Sequence, residues 1–323
     1  MNLENITKPV ESELETLNDR FREAMKSKVA FVDMIARYIV KQKGKKIRPA
    51  LVLLTAKACG EINEHTYRGA SLVEILHTAT LIHDDVVDDA DTRRGLASIN
   101  AVWKNKIAVL MGDYLLAKGL LLSLDNDEFT FLKIISDSVR RMSEGEILQI
   151  AKSRKLDIDE ETYFKIISDK TASLLSTCCQ IGAASVTTDK SVIGCMRDFG
   201  ENLGMVFQIR DDLLDYVGRK SITGKPTGLD MKEKKLTLPL IYSFSKAPRS
   251  NTRHILSIIK NGASKKELQH VVEFAHEFGG IDYATKKAEH YSALALEALD
   301  ALPYSPSKES LTNFVDFVLE RTK

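Results

Sequence analysis

The chain has 323 residues, a formal net charge of +1, 44% hydrophobic and 28% charged residues. That length admits one large domain or two ordinary ones, and the composition is that of a globular protein. The near-neutral balance gives no reason to expect nucleic acid or an acidic membrane surface as a partner.

The N-terminal stretch MNLENITKPVESELETL is acidic and amphipathic. It lacks the basic start and apolar core of a signal peptide. The runs LVLLTAKACG and VLMGDYLLAKGLLLSL are broken by Lys, Asp or Gly and fall short of the ~20 apolar residues of a membrane span. A cytoplasmic protein is expected. Cys59, Cys178, Cys179 and Cys195 form no C-x-x-C pair and read as reduced, packed small hydrophobes.

Proline occurs at positions 9 and 49 and then not before Pro226. Because proline costs about 3 kcal/mol inside a helix, its absence over that span predicts helices throughout. Pro49 falls in a first helical turn and Gly60 at a helix stop. In 65–83, Ala70, Leu72, Val73, Leu76, Ala79, Thr80 and His83 recur at helical steps. The same periodicity predicts a helix in 126–153 and a largely buried one in 189–216, and DIDEET marks a helix start near 160. Residues 218–236 form the one long irregular stretch, and 250–323 return to amphipathic helices. No alternating run calls for a sheet. The expected fold is all-α, a single domain over 1–323 with roughly ten or more helices around a central cavity.

Two clusters carry the chemistry. Asp84, Asp85 and Asp88 lie in LIHDDVVDDADTRRG, and Asp211, Asp212 and Asp215 in FQIRDDLLDY. Both read D-D-x-x-D after an apolar helical segment. Positions i and i+4 share a helix face, so Asp84 stands beside Asp88 and Asp211 beside Asp215. A solvated acidic turn would account for one cluster; two of identical spacing point to magnesium, which takes one or two carboxylates with waters and substrate phosphates. Lys43, Lys45, Lys46 and Arg48 precede a helix, Arg93 and Arg94 follow the first cluster, Lys170 and Thr171 sit in another helix, and Lys225 and Lys235 lie in the irregular stretch. Arginine forks and mobile lysines suit phosphate oxygens. A G-x-x-x-x-G-K-[ST] loop is absent, against a nucleotide phosphohydrolase.

The motifs GKKIRP (44–49), EILHTATLIHDDVVDDADTRRG (74–95), GEILQ (145–149), KT (170–171), FQIRDDLLD (207–215), GKPTGLD (224–230) and KLTLP (235–239) resemble the polyprenyl synthetase family of trans-isoprenyl diphosphate synthases, and most of all its bacterial long-chain members. Order and spacing hold from about residue 5 onward. The resemblance implies the isoprenoid synthase fold and head-to-tail elongation of an allylic diphosphate, farnesyl or geranyl, by isopentenyl diphosphate. It implies magnesium, three ions per active site, and a homodimer touching membranes at most transiently. Asp84, Asp88 and Asp211 would be the primary metal ligands, with Asp85, Asp212 and Asp215 supporting. Arg93, Lys170, Gln208 and Lys235 would face the allylic diphosphate, with Lys225 nearby and Thr171 orienting. Lys45, Arg48, His77 and Arg94 would bind isopentenyl diphosphate. Lys43 and Lys234 stand where the family often has glycine. In such enzymes diphosphate departs, the isopentenyl double bond attacks the allylic cation, and the released diphosphate takes the proton.

Residues one and two turns before Asp84 would set product length. Ala79 and Thr80 are small where bulky aromatics stop growth early, so a tunnel would reach Leu76, ~12 Å away. A heptaprenyl to decaprenyl product is expected, octaprenyl first. Two rivals remain: a class I terpene cyclase, whose second metal motif is usually not DDLLD, and a non-catalytic subunit of a heteromeric synthase, which would have lost an acidic motif or a lysine.

Overall fold

The structure is a computed structural model that describes residues 2–42, 44, 46–217, 231 and 234–321, with only the backbone of Lys265. Lys43, Lys45, Lys225 and most of the 218–236 stretch lie outside the described residues.

The chain is helical nearly throughout. It opens with α1 (Leu3–Thr7), a 3-10 turn, α2 (Glu11–Met25), α3 (Ala30–Lys41) and α4 (Ile47–Cys59). Pro49 sits in the first turn of α4 and Gly60 caps its end. Residues Pro49 to Ala56 of α4 are all buried, and each fully enclosed Leu or Val there contributes about 1.5–3 kcal/mol. Next come α5 (Glu64–Val87), α6 (Ile99–Leu124), α7 (Phe129–Ser153), α8 (Glu160–Ile167), a π turn (Ser168–Ala172), α9 (Ser173–Ala184) and α10 (Lys190–Val217). The starts of α5 and α8 follow from capping. Asn63 and Thr66 form a reciprocal capping box, and the Asp159 carboxylate accepts from Thr162 N–H at 2.8 Å. The chain continues through α11 (Leu238–Lys246), α12 (Arg249–Asn261), α13 (Lys265–Glu277), α14 (Gly280–Leu299) and α15 (Pro306–Leu319).

The helices expected over 65–83, 126–153, 189–216 and from 160 are present, each within a few residues. Two expectations need correction. A small antiparallel pair, β1 (Thr92–Arg93) with β2 (Leu96–Ala97), follows α5; two residues per strand are too few to leave an alternating pattern. Among the described residues, α6 is long and apolar enough to cross a membrane, because its Lys and Asp interrupt the run without ending the helix. It packs along α5 instead.

Three apolar clusters hold the shell. The largest joins α4, α5, α9, α10 and α15. A second joins α8, the later part of α10 and α11 to α14. A third, with Met25, Ile35, Ala36, Ile39, Ala79, Ile82, Ile99 and Met111, lies among α2, α3, α5 and α6. Helices α5 and α10 therefore run through the interior, and the acidic motif of each falls at or near the helix end, where the apolar core gives way to polar surroundings.

Candidate active site

The first acidic motif closes α5. Asp88 caps the helix, its N–H donating to the Asp84 carbonyl at 2.8 Å. Asp85 is buried and accepts from Arg93 Nε at 2.8 Å, with Arg93 Nη2 on the same oxygen. Asn100 Nδ2 donates to the Asp85 and Ala90 carbonyls, both at 3.2 Å, and Ser98 Oγ to Ala90 O at 2.6 Å. These bonds fold the β1–β2 hairpin back onto the helix end and thereby place Arg93 and Arg94. Arg93, expected to face the allylic diphosphate, is thus turned to Asp85. Arg94 lies against Gly44, where a Cβ would stand 2.5 Å from its Nη1, so a larger residue there would make the guanidinium move.

Arg93, Arg94, Asp85, Glu74 and Lys46 line one cavity of about 1070 Å³ between α2, α3, α4 and α5. Beside it, burial and the Arg48, Arg94 and Arg93 guanidinium groups hold the His77 imidazole well below its usual value of 6.5, so it is neutral near pH 7. Arg48 Nε is enclosed without a hydrogen-bond partner. Burial raises the Glu74 carboxyl, opposed by Arg48, Arg94 and Lys46. With Arg93 taken by Asp85, Arg48 with its orphaned Nε and Arg94 beside it are the groups suited to a further anion.

The second motif lies on α10 and borders a cavity of about 200 Å³ lined by Lys170, Thr171, Gln208, Asp211, Asp212 and Lys235 among others. Thr171 Oγ1 donates to Gln208 Oε1 at 2.8 Å, Gln208 Nε2 to Asp212 Oδ1 at 2.7 Å, and Tyr163 OH to Asp212 Oδ2 at 2.7 Å. Asp212 is buried. Asp211 is more open, with Arg321 Nη1 at 3.6 Å. Asp215 is half-buried.

Lys170 links the two halves. It sits in the π turn, a distortion found often at functional sites. It pairs with Glu146 and donates to Gln149 Oε1 at 3.3 Å, while lining the smaller cavity. Asp84 is pushed up to about 6 by burial and by the Glu146 carboxylate, against the pull of Lys170, with Asp88 adding to the rise and Arg93 opposing it. Arg141 anchors the turn from α7. Its Nε donates to Asp169 Oδ1 at 2.9 Å, its Nη2 to Glu201 Oε1 at 2.7 Å and to Ser168 Oγ at 2.8 Å. Burial would lower the Arg141 guanidinium, but the Glu201 and Asp169 carboxylates outweigh it and hold it above its ordinary value.

Tyr163, Arg141, Asp169 and Glu201 were not singled out by sequence reasoning, and Glu146 entered only inside the GEILQ motif, without a role. Apart from the Lys165–Asp169 pair, their partners lie tens of residues away, so no local spacing marks them. The chain-length residues lie off the two cavities described. Leu76 and Ala79 are buried, and neither they nor Thr80 line either cavity. The large cavity meets α5 on the adjacent face, at Ser71, Glu74, Thr78, Leu81 and Ile82. Ala79 backs that wall, because it packs in one apolar cluster with the wall residues Met25, Ala36, Ile39 and Ile82.

Among the described residues no group of three or more His, Cys, Asp or Glu converges to hold a metal unaided. The donor set fits a cation that also takes substrate oxygens. Crowded carboxylates at Asp84, Glu146 and Asp88 suit a hard divalent ion sharing its shell with phosphate.

In this largely helical shell Lys170 stands between two acidic helix segments, an arrangement suited to a divalent cation together with phosphate oxygens. Residues 29–275 match the polyprenyl synthetase family, and the chain belongs to it, as an enzyme that transfers prenyl groups. The chain is 36% identical over 319 residues, 98% of each protein, to an all-trans-nonaprenyl-diphosphate synthase (geranyl-diphosphate specific) of Rhodobacter capsulatus. It is 34% identical over 325 residues, 100% of each, to the octaprenyl diphosphate synthase of Escherichia coli. The crystal structure of a polyprenyl synthase from Caulobacter crescentus, complexed with calcium and isoprenyl diphosphate, superposes with a TM-score of 0.90 at 30% identity. The match covers 100% of this chain and 98% of that one.

Proposed function

We propose that this enzyme adds isopentenyl diphosphate units head-to-tail to geranyl or farnesyl diphosphate, making a long all-trans polyprenyl diphosphate with octaprenyl as the leading product. The position of Lys170 carries the reading: one cation lies within electrostatic reach of Asp84 and also borders the cavity of Asp211.

Asp84, Asp88 and Asp211 would hold magnesium, three ions per site, with Asp85, Asp212 and Asp215 supporting. When bound, the metal supplies Lewis-acid stabilisation of charge on the departing diphosphate. Lys170, Thr171, Gln208 and Lys235, with Lys225, bind and orient the allylic diphosphate. Arg48, Arg94 and Lys45 hold the diphosphate of the second substrate, and the neutral His77 donates one hydrogen bond there without adding charge. Arg93 holds Asp85 in place and adds positive potential. Ionisation of the allylic carbon–oxygen bond leaves a cation, the isopentenyl double bond attacks it, and the proton lost passes to a diphosphate oxygen. No side-chain nucleophile is needed; positioning and fixed charges carry the rate.

The enzyme acts as a homodimer, and the exposed apolar residues Val102, Val109, Leu110, Leu121 and Leu124 on α6 support that reading. It works in the cytoplasm, with no nucleic-acid partner. Asp84→Asn and Asp211→Asn should each lower kcat by about 10²-fold or more while the folded structure persists by circular dichroism. A wild-type rate in either variant overturns the assignment.

A further inference from the structure

The hydrogen bonds around Asp212 run in one direction. An ionised carboxylate can only accept, and both oxygens of this one are engaged. Gln208 Nε2 donates to Oδ1 and Tyr163 OH to Oδ2, each at 2.7 Å. The Gln208 amide therefore keeps its nitrogen toward Asp212 and its oxygen toward Thr171, whose hydroxyl donates to that oxygen at 2.8 Å. A hydroxyl has one proton to give, and a primary amide has two N–H groups. The Thr171 proton is spent inside the protein, whereas Gln208 keeps a second N–H. Tyr163, Thr171, Gln208 and Asp212 all line the cavity of about 200 Å³ that Lys170 and Lys235 also border. The neutral donor that this chain of bonds leaves for a phosphate oxygen is thus the second N–H of Gln208, not the hydroxyl of Thr171.

The setting of Tyr163 fixes that direction. Asp159 caps the start of α8, and the following turn carries Tyr163 inward, where it is 3% exposed within the apolar cluster of α8, α10 and α11 to α14. Phe164 meets its ring edge-on, 5.5 Å between centroids. An enclosed aromatic ring is rigid, and its hydroxyl oxygen stays at one point. Without that oxygen the tilt of the Asp212 carboxylate is no longer fixed from this side. The Gln208 amide is then free to turn over and to present its oxygen, rather than an N–H, to an anion.

We propose that Tyr163 is a positioning residue for the allylic substrate: through Asp212 it holds the Gln208 amide with an N–H toward the diphosphate. The inference rests on the reading of this cavity as the allylic diphosphate site. Loss of one hydrogen bond to a charged group corresponds to about tenfold or more in affinity.

Tyr163→Phe keeps the ring and deletes the hydroxyl. It should lower kcat/KM for geranyl diphosphate about tenfold and leave the KM for isopentenyl diphosphate unchanged. Binding of geranyl S-thiolodiphosphate, an analogue slow to ionise, should weaken by the same factor in calorimetry with magnesium. Tyr283 OH donates to Glu160 Oε1 at 2.6 Å, at the start of the same helix. Tyr283→Phe, which loosens α8 without removing a donor from Asp212, should change none of these values. Gln208→Leu should also weaken binding of the analogue, and adding Tyr163→Phe to it should cost nothing more, because the tyrosine acts through the amide. Losses that multiply in the double variant overturn the proposal. So does wild-type binding in Tyr163→Phe, or an equal loss in Tyr283→Phe. Weakened analogue binding in Tyr163→Phe, alongside a wild type that takes up no isopentenyl diphosphate, would keep this role for Tyr163 and remove the synthase reading.

Discussion

Asp84 and Asp85 are neighbours with the same side chain and opposite surroundings. Asp85 is satisfied by Arg93; Asp84 is crowded by carboxylates and pushed up to about 6. The second motif repeats the contrast. Asp212 accepts from Gln208 and Tyr163, whereas Asp211 is the more open residue. In each motif the second aspartate is taken up by close protein donors and the first is not, a division that D-D-x-x-D spelling does not disclose. His77 supplies a pH signature. Held neutral well below 6.5 by burial and the arginines, it binds no proton in the folded state where the unfolded chain does. Its stability contribution is full above about pH 6.5 and is lost as pH falls toward the lowered folded value. The urea midpoint of the wild type should therefore fall more steeply between about pH 6.5 and 5 than that of His77→Gln. Parallel curves would contradict the assignment of a neutral, enclosed imidazole.

At the scale of elements, the π turn at Ser168–Ala172 is the piece on which the site depends. It fits because α7 and α10 each approach it through glycine. A Cβ on Gly145 would lie 2.9 Å from Lys170 N, and one on Gly204 only 2.4 Å from Ala172 Cα. Gly204→Ala should cost about 1–3 kcal/mol from overpacking against backbone and lower kcat by moving Lys170 and Thr171. Gly194→Ala, on the same helix with open space around it, should stabilise by about 0.4–1 kcal/mol at unchanged kcat. Melting and steady-state rates on the pair check this; equal kcat in all three proteins would remove the turn from the account. The helices themselves were legible in the sequence, since α5, α7 and α10 carry apolar residues at three- and four-residue steps and Gly60 and the DIDEET stretch mark boundaries. The π turn was not, because its extra residue is held by Arg141 and Glu201 and accommodated by the glycines of other helices.

At the scale of the whole molecule, the two acidic motifs and the cationic residues were legible from spacing and from resemblance, but the large cavity between α2, α3, α4 and α5 was not. Helical steps back from Asp84 point to Leu76, Ala79 and Thr80, and the packing of α2 and α3 against α5 opens the space one face over, at Thr78 and Ile82. Ala79 packs behind that wall. Ala79→Phe should push the shared cluster into the cavity and shift the product to fewer isoprene units by chromatography, with the first condensation intact. An unchanged product would mean that the cavity does not hold the chain.

This single chain, with magnesium, is expected to elongate an allylic diphosphate. Purified protein incubated with labelled isopentenyl diphosphate, geranyl or farnesyl diphosphate and magnesium should yield a labelled long-chain polyprenyl diphosphate and free diphosphate, and chelation of the metal should stop both. Failure of the chain alone to incorporate label, with activity appearing only on addition of a second polypeptide, or release of diphosphate from the allylic substrate without uptake of isopentenyl diphosphate, would contradict the account.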